Sequence, residues 1–300
     1  MKNKRFEDYG NTVQRLYCRD LPETSSACRN ITFQVTNGCN LRCSYCYEHH
    51  KGSEHMSVET GRKIVDYLLD QYERNDSDFI NWNTRAVVLD FIGGEPLLEA
   101  TLIEQICDYW FSECFRRDIP LAPFTRISFA TNGQLWFSSE AQHLIEKYHD
   151  LMSITISIDG VQDLHDMYRL DEHGNGSFAK AWAAFQDGKR RFGWANSKMT
   201  FVPGSFPYIS DSLKMMLDEG CSDVACNYAY EPVYTPADGR SLYEQLKIVS
   251  DYIVDNKLDV VVTILDSLLG GKAKDDKNFC GGTGAMLSFA PDGSAYPCIR

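Results

Sequence analysis

The sequence predicts an α/β fold built on one parallel sheet, either open or barrel-like. Six short runs rich in β-branched and aromatic residues alternate with segments whose apolar residues recur at helical spacing. Consecutive parallel strands need a long connection, and a helix in each interval supplies it. The chain has 300 residues, 43% of them apolar and 24% charged, which suits a globular protein of one or two domains.

The elements follow in chain order. Strands are predicted at roughly 31–35, 86–92, 126–130, 152–158, 198–202 and 223–229. Ser57 can cap a helix that begins at Val58, and a second helical pattern follows Pro96. Further helical patterns lie at 178–192, 213–217 and 242–253.

The alternation stops near the end of the chain. After a stretch rich in Gly and Lys, the sequence MLSFAPDGSAYPC predicts a hairpin with Asp292 and Gly293 at its turn. A second module is therefore expected to begin near Cys280. The predicted organisation is a lead-in segment at 1–30, an α/β domain at 31–258, and a linker with the start of a second module at 259–300.

Charge and hydropathy exclude several classes of protein. The chain has 30 basic and 42 acidic residues, a net charge of -12, which argues against binding nucleic acid or anionic lipid through a basic surface. No apolar run is long enough to span a bilayer, and the first residues lack the apolar core of a signal peptide. We expect a cytoplasmic protein without nucleic-acid or membrane partners.

Eleven cysteines are too few for a disulfide scaffold. Residues 36–48 read TNGCNLRCSYCYE and place Cys39, Cys43 and Cys46 directly after the first strand. Three thiolates on one loop can each hold one iron of a cubane cluster and leave the fourth iron open. A CxxC pair also occurs in zinc and redox sites, although zinc needs four ligands and a redox pair does not use Cys39.

Three further loops carry polar or glycine-rich motifs. GGEP follows the second strand, TNG the third, and SIDG ends the fourth. Ligands of parallel α/β folds bind at the carboxyl ends of the strands, so these loops can contact the ligand of the cysteine loop. Each loop taken alone could be glycine-rich simply because it turns tightly.

The motifs CNLRCSYC, GGEPLL, TNG and SIDG, in this order, resemble those of the radical S-adenosylmethionine enzymes. The resemblance runs from about Ile31 to the end of the chain. It implies a partial (β/α)6 TIM-like barrel with a [4Fe-4S] cluster whose open iron binds S-adenosylmethionine. In such enzymes the reduced cluster cleaves this cofactor to a 5'-deoxyadenosyl radical that abstracts a substrate hydrogen. A reductant such as flavodoxin or ferredoxin is implied as a partner.

The resemblance also assigns residues by position, although it identifies no catalytic residue. The implied cluster ligands are Cys39, Cys43 and Cys46. The implied contacts with S-adenosylmethionine are Tyr45 near the adenine, Gly93, Gly94 and Glu95 at the methionine amine, Ser157 and Asp159 at the ribose, and Arg169 at the methionine carboxylate.

Residues 280–298, CGGTGAMLSFAPDGSAYPC, resemble the opening of a SPASM domain. The resemblance implies Cys280 and Cys298 as ligands of an auxiliary [4Fe-4S] cluster, although a plain hairpin with two buried thiols would have the same sequence. The pattern is similar to that of thioether-forming maturases of Cys-repeat peptides. A complete SPASM domain has more cysteines after this hairpin, so we expect the sequence to be a fragment of a longer protein.

The functional hypothesis is a radical S-adenosylmethionine maturase that forms Cys thioether crosslinks in a ribosomally made precursor peptide. One alternative is an enzyme of the anaerobic sulfatase-maturase type, which is disfavoured because Ile299 occupies the position of an Asp in that group. The other is a non-catalytic zinc-binding module. Packing is the expected role of Cys107, Cys114, Cys221 and Cys226, and a solvated turn is expected at His49 and His50, whereas Cys18 and Cys28 have no assigned role.

Overall fold

The computed structural model describes residues 29–48, 51–74, 87–193, 196–265 and 286–298. Their strands form a nine-stranded sheet. The strands are β1 Arg29–Thr36, β2 Val87–Gly93, β3 Thr125–Thr131, β4 Met152–Ser157, β5 Ser197–Phe201, β6 Asp223–Tyr228, β7 Val261–Val262, β8 Met286–Phe289 and β9 Ala295–Tyr296. The helices are α1 Val58–Arg74, α2 Ala100–Arg116, α3 Ser139–Lys147, α4 Gln162–Tyr168, α5 Phe178–Phe192, α6 Ile209–Asp218 and α7 Pro236–Asp255.

The first seven strands stand in the sheet in chain order. The order is β7-β6-β5-β4-β3-β2-β1-β8-β9, and every neighbouring pair from β1 to β7 is parallel. At least one helix connects each consecutive pair. The carboxyl ends of these strands therefore meet at one edge of the sheet, as the alternation in the sequence predicts.

The predicted strands agree with the structure to within a few residues, whereas the helix predicted at 242–253 is the longer α7, Pro236–Asp255. The six predicted strands correspond to β1 to β6, and the pattern at 178–192 is α5. Ser57 caps α1 as expected, since its Oγ accepts a hydrogen bond from the Thr60 N–H at 3.0 Å. The sequence does not predict the short elements α3, α4 and β7, because each is too short for apolar residues to recur often at helical or strand spacing.

Side chains alternate strictly between the two faces of the central strands. One row, which includes Leu89, Phe91, Ile127 and Phe129, is at most 1% exposed and lies in the hydrophobic core. The opposite row, which we call the inner row, is mostly polar. In it, Thr32 of β1 and Asp90 of β2 are neighbours in register and also hydrogen-bonded. Parallel sheets usually bury apolar residues on both faces, so a polar row indicates a face that serves a ligand.

Asp90 shows how that polar row is stabilised. Burial raises the pKa of its carboxyl group, while hydrogen bonds from Ser128 and Thr32 and the charge of Lys198 act in the opposite direction. Ser128 is its neighbour on β3 in register. The inner face of the sheet therefore carries a partly desolvated acid among hydroxyl groups.

The four cysteines assigned to packing are buried, as predicted. Cys107 and Cys114 on α2 are 0% exposed, and Cys221 and Cys226 are 1% and 5% exposed. Burial raises the pKa of Cys114, Cys221 and Cys226 to about 12, so these side chains remain neutral thiols at physiological pH. No disulfide links the described cysteines. Cys18, Cys28, Cys280 and the pair His49-His50 lie outside the described residues.

The C-terminal hairpin is confirmed, and it also joins the main sheet. Strands β8 and β9 are antiparallel, with Asp292 at the turn and Gly293 at a φ of 89°. On its other side β8 pairs in parallel with β1, and the rings of Phe33 and Phe289 lie 6.1 Å apart. The hairpin thus extends the sheet beyond β1, and the proposed division at residue 259 stays a prediction.

Within the described part of the chain, no helix is both long enough and apolar enough to cross a membrane.

The turn after β2 approaches the loop after β1 very closely. The Gly94 N–H donates to the Thr36 carbonyl at 3.0 Å, and the Glu95 N–H donates to the Gly38 carbonyl at 2.9 Å. A Cβ atom on Gly94 would lie 2.6 Å from the carbonyl carbon of Gly38 and 2.8 Å from Cβ of Cys39. This approach requires glycine because the two nearest obstructing atoms are the backbone carbonyl oxygen and carbon of Gly38.

Gly94→Ala is therefore expected to lower the free energy of unfolding by about 1–3 kcal/mol, since two backbones must separate. Gly239→Ala is the matched control. Gly239 lies in α7 with nothing within 4 Å of the added methyl group, and alanine should stabilise that helix by about 0.5–1 kcal/mol. Urea unfolding followed by tryptophan fluorescence measures both changes. Equal stability of Gly94→Ala and the unsubstituted protein would contradict the close approach.

Candidate functional site

The cysteine loop follows β1 and is bonded to the last residue of α4 and to the segment after it. The Arg42 N–H donates to the Leu170 carbonyl at 2.6 Å, and the Ser44 N–H donates to the Tyr168 carbonyl at 3.0 Å. Within the loop, the Cys46 N–H donates to the Cys43 carbonyl at 3.1 Å. These backbone bonds give the loop a defined path.

All three loop cysteines are partly exposed and line a single cavity of about 210 Å³. The cavity lies at the carboxyl ends of the strands. Burial raises the pKa of the Cys43 thiol, while the nearby Arg169 guanidinium acts in the opposite direction. The loop therefore brings three cysteines to one cavity.

Glu95 joins the ends of β2 and β3 through its buried carboxylate. The residue is 1% exposed, and the carboxylate accepts hydrogen bonds from the Thr131 hydroxyl at 2.6 Å, the Asn132 N–H at 2.8 Å and the Leu97 N–H at 3.1 Å. Burial raises its pKa, and these hydrogen bonds oppose the shift. The side chain thus has a structural task besides its predicted contact with the methionine amine.

Asn132 of the TNG motif extends this connection to the cysteine loop. Its Nδ2 donates to Oδ1 of Asn40 at 2.7 Å and lies 3.9 Å from Sγ of Cys39. The loops after β1, β2 and β3 are therefore directly bonded to one another. The sequence motif indicated a loop near the ligand but gave no specific role to Asn132.

Asp159, at the end of β4, is the second buried carboxylate of the site. It is 1% exposed and accepts hydrogen bonds from Nε and Nη2 of Arg169 at 2.8 and 3.1 Å. It also accepts hydrogen bonds from the Tyr45 hydroxyl and, at 2.9 Å, from the Thr200 N–H. The Arg169 guanidinium carbon lies 5.5 Å from the centre of the Tyr45 ring.

This arrangement bears on the residues assigned from the resemblance. Eight of them line the cavity: Cys39, Cys43, Cys46, Tyr45, Gly94, Glu95, Ser157 and Arg169. Gly93 and Asp159 do not line it, and the Asp159 carboxylate is occupied by protein donors. The ribose contact of Asp159 stays a prediction, and Ser157 is the residue of that pair that faces the cavity.

Part of the cavity is lined by residues that the sequence motifs did not indicate. Lys198 and Thr200 of β5, Asn227 of β6 and Glu231 after it line the same cavity. They belong to the polar inner row of the sheet and to the loop beyond it. No local spacing distinguishes such residues from ordinary surface polar residues, so they become visible only in the fold.

The donor set can be tested against the two metal centres that the sequence suggests. Among the described residues, no group of three His, Cys, Asp or Glu side chains converges on a point where one metal ion could bind. A zinc ion needs its ligands at one point, whereas a cubane distributes them over separate irons. Three cysteines of one loop, at a cavity that polar residues also line, fit a cluster that keeps an open iron.

Cys298 lies elsewhere in the molecule. It is half-buried and follows β9, on the hairpin that extends the sheet beyond β1. It is not among the residues that line the cavity. Its predicted partner Cys280 is outside the described residues, so the auxiliary cluster stays a prediction.

Known proteins share this fold over most of the chain. Native anSMEcpe, solved with bound AdoMet and the Cp18Cys peptide, gives a TM-score of 0.69 at 22% identity, over 90% of this chain and 73% of that one. SuiB of Streptococcus suis, solved bound to its precursor peptide SuiA, gives a TM-score of 0.60 at 13% identity, over 97% and 63%. These likenesses confirm the predicted α/β partial barrel.

Sequence relatives agree with the structural ones. AlbA, the antilisterial bacteriocin subtilosin biosynthesis protein of Bacillus subtilis, is 21% identical over 277 residues, which are 90% of this chain and 54% of AlbA. The chain spans about half the length of the curated relatives that it matches. The model of the radical SAM superfamily matches residues 33–205, more than half of the chain, including the cysteine loop and the ends of β2, β3 and β4. The chain therefore belongs to the radical SAM superfamily.

Proposed function

We propose that this chain contains the radical-generating domain of a maturase that forms Cys thioether crosslinks in a ribosomally made precursor peptide. The observation that supports this most is the single cavity shared by three loop cysteines, the turn at Gly94 and Glu95, Ser157, and Arg169. Chemical groups for a cluster and for S-adenosylmethionine are thereby within reach of one another at the carboxyl edge of a parallel sheet.

The residues of the cavity divide between two tasks. Cys39, Cys43 and Cys46 would hold three irons of the cluster as thiolates. The guanidinium of Arg169 suits the methionine carboxylate, because it carries a fixed positive charge and its Nη1 is not used in the pair with Asp159, which binds Nε and Nη2. The absence of a side chain at Gly94 keeps the backbone accessible to the methionine amine.

When bound and reduced, the cluster and S-adenosylmethionine would supply a 5'-deoxyadenosyl radical. The residues that line the cavity limit where such a radical can react, and they come from the cysteine loop and also from β5 and β6. Lys198, Asn227 and Glu231 would then face the substrate. A peptide offers the backbone carbonyl and amide groups that these side chains can bind.

Peptide modification is supported by relatives and by the C-terminal sequence. AlbA acts in the biosynthesis of a bacteriocin, and SuiB and anSMEcpe have been solved with peptides. The CGGTGAMLSFAPDGSAYPC sequence resembles that of thioether-forming maturases. Ile299, in the position of the Asp of sulfatase maturases, weighs against that alternative.

Thioether formation also needs an electron acceptor, which a second cluster would provide. As the C–S bond forms, the substrate loses a hydrogen atom from carbon, a proton from the thiol and one electron. An auxiliary iron–sulfur cluster is a suitable acceptor for the electron, and Cys280 and Cys298 are its proposed ligands in this chain. Flavodoxin or ferredoxin is the proposed reductant of the first cluster.

The ligand assignment predicts a selective loss of iron. After anaerobic reconstitution, Cys43→Ala should lack the roughly four irons of the loop cluster and should form no 5'-deoxyadenosine from S-adenosylmethionine under reducing conditions. Cys107→Ala is the matched control and should keep both, because that thiol is buried in α2. Iron analysis and chromatography of the nucleoside measure these results. A colourless protein with one tightly bound zinc would instead support the zinc-binding module.

The substrate assignment predicts a specific change of mass. A precursor peptide with spaced cysteines, co-expressed with the full-length protein, should lose two hydrogens per crosslink, and the modified cysteines should resist alkylation. The same peptide with its cysteines replaced by alanine should keep its mass. Mass spectrometry after reduction of disulfides and iodoacetamide treatment distinguishes the outcomes: loss of two hydrogens with fully alkylated cysteines would indicate a carbon–carbon bond and contradict the thioether.

A further inference from the structure

A fully buried histidine connects the two halves of the Arg169–Asp159 ion pair. His165, on α4, is 0% exposed, and its Nδ1 lies 3.3 Å from the backbone N–H of Asp159. Its Nε2 lies 3.0 Å from Oγ of Ser177, and that hydroxyl donates to the carbonyl of Arg169 at 2.7 Å. Neither His165 nor Ser177 lines the cavity, and neither belongs to a sequence motif.

These hydrogen bonds form a series from the Asp159 N–H through His165 and Ser177 to the Arg169 carbonyl, which we call the relay. The two backbone groups at its ends fix the direction of every bond in it. A backbone N–H can only donate, so Nδ1 of His165 must accept from Asp159 and the ring proton must be on Nε2. That Nε2–H donates to Ser177, whose own proton then goes to the Arg169 carbonyl. Burial lowers the pKa of His165 to about 4, with a further contribution from the Arg169 charge, so the ring is neutral as this pattern requires.

The relay ends on the backbone of the same two residues whose side chains form the ion pair. Asp159 and Arg169 are thus fixed twice, once through carboxylate and guanidinium and once through His165 and Ser177. The pair uses Nε and Nη2 of the guanidinium, which sets the plane of the group beside the cavity.

The carboxylate of Asp159 also binds the cysteine loop. It accepts a hydrogen bond from the hydroxyl of Tyr45, the residue directly before Cys46. A buried ion pair gains little net stability because both charges lose their hydration. A role in geometry explains better why so many donors and acceptors are directed at two residues at the edge of the cavity.

We propose that Asp159, His165 and Ser177 are positioning residues for S-adenosylmethionine, which hold the Arg169 guanidinium and the Tyr45 ring in the arrangement that binds this cofactor. The inference rests on the proposed function. His165 and Ser177 do not line the cavity, and they act through Asp159, Arg169 and Tyr45. Loss of the relay should therefore weaken cofactor binding while the cysteines still hold the cluster.

Ser177→Ala tests this proposal because it removes one hydroxyl and adds nothing. Ser205→Ala is the matched control: Ser205 is 1% exposed, and its hydroxyl likewise bonds to backbone groups, here the N–H and C=O of Val202. The probe is S-adenosylmethionine itself, titrated against the reduced, reconstituted protein and followed by the change it causes in the cluster's electron paramagnetic resonance spectrum.

We expect Ser177→Ala to raise the dissociation constant of S-adenosylmethionine about five- to tenfold, the effect of one hydrogen bond, at unchanged iron content. The KM for the cofactor in uncoupled cleavage should rise more than kcat falls. Ser177→Thr, which keeps the hydroxyl, should restore binding, and Asp159→Asn should weaken binding more than Ser177→Ala does. Ser205→Ala should bind as the unsubstituted protein does.

Two results would overturn the inference while leaving the proposed function intact. Ser177→Ala and Asp159→Asn could bind the cofactor as tightly as Ser205→Ala does, or both could lose iron in parallel with cofactor binding, which is the signature of a purely structural role. A third result would overturn both proposals, namely no spectral response of the unsubstituted, reduced protein to S-adenosylmethionine.

Discussion

The buried carboxylate of Asp159 joins three segments that are distant in the sequence. Its donors are Arg169 from the end of α4, Tyr45 from the cysteine loop and the Thr200 N–H from β5. A carboxylate that is 1% exposed would be strongly destabilising without such donors, because it loses its hydration. Each of the three segments is therefore held to the same point, and the cavity keeps its shape even though most of its walls are loops.

Glu95 is the other buried carboxylate of the site, and its charge is stabilised by a different kind of donor. Its donors are two backbone N–H groups and one hydroxyl, without a directly bonded cation. Hydrogen bonds from neutral donors stabilise the anion less than an arginine does, and burial accordingly raises its pKa. The two carboxylates bring together the ends of β1 to β5. This is possible because those strands are parallel and in chain order.

The sequence predicts those features that depend on neighbouring residues. Strands β1 to β6 were recognisable because one of their two rows is apolar, and the cysteine loop and Gly94 turn because their spacing is short. The partnership of His165 and Ser177 spans 12 residues without a repeat, and the polar wall at Lys198 and Asn227 depends on β5 and β6 standing side by side. The pairing of β8 with β1 joins opposite ends of the chain, and no local pattern encodes it.

The separation of roles between the two rows of the sheet bears on how such a protein can diverge. The apolar row, which includes Phe91 and Phe129, carries the burial that stabilises the fold, whereas an inner-row side chain such as Thr155 is only half-buried and contributes little apolar burial. Substitutions at half-buried inner-row positions away from Asp90 and its donors can therefore accumulate at small thermodynamic cost. Descendants of one ancestral barrel could acquire new specificities by drift through these positions while the scaffold remains the same.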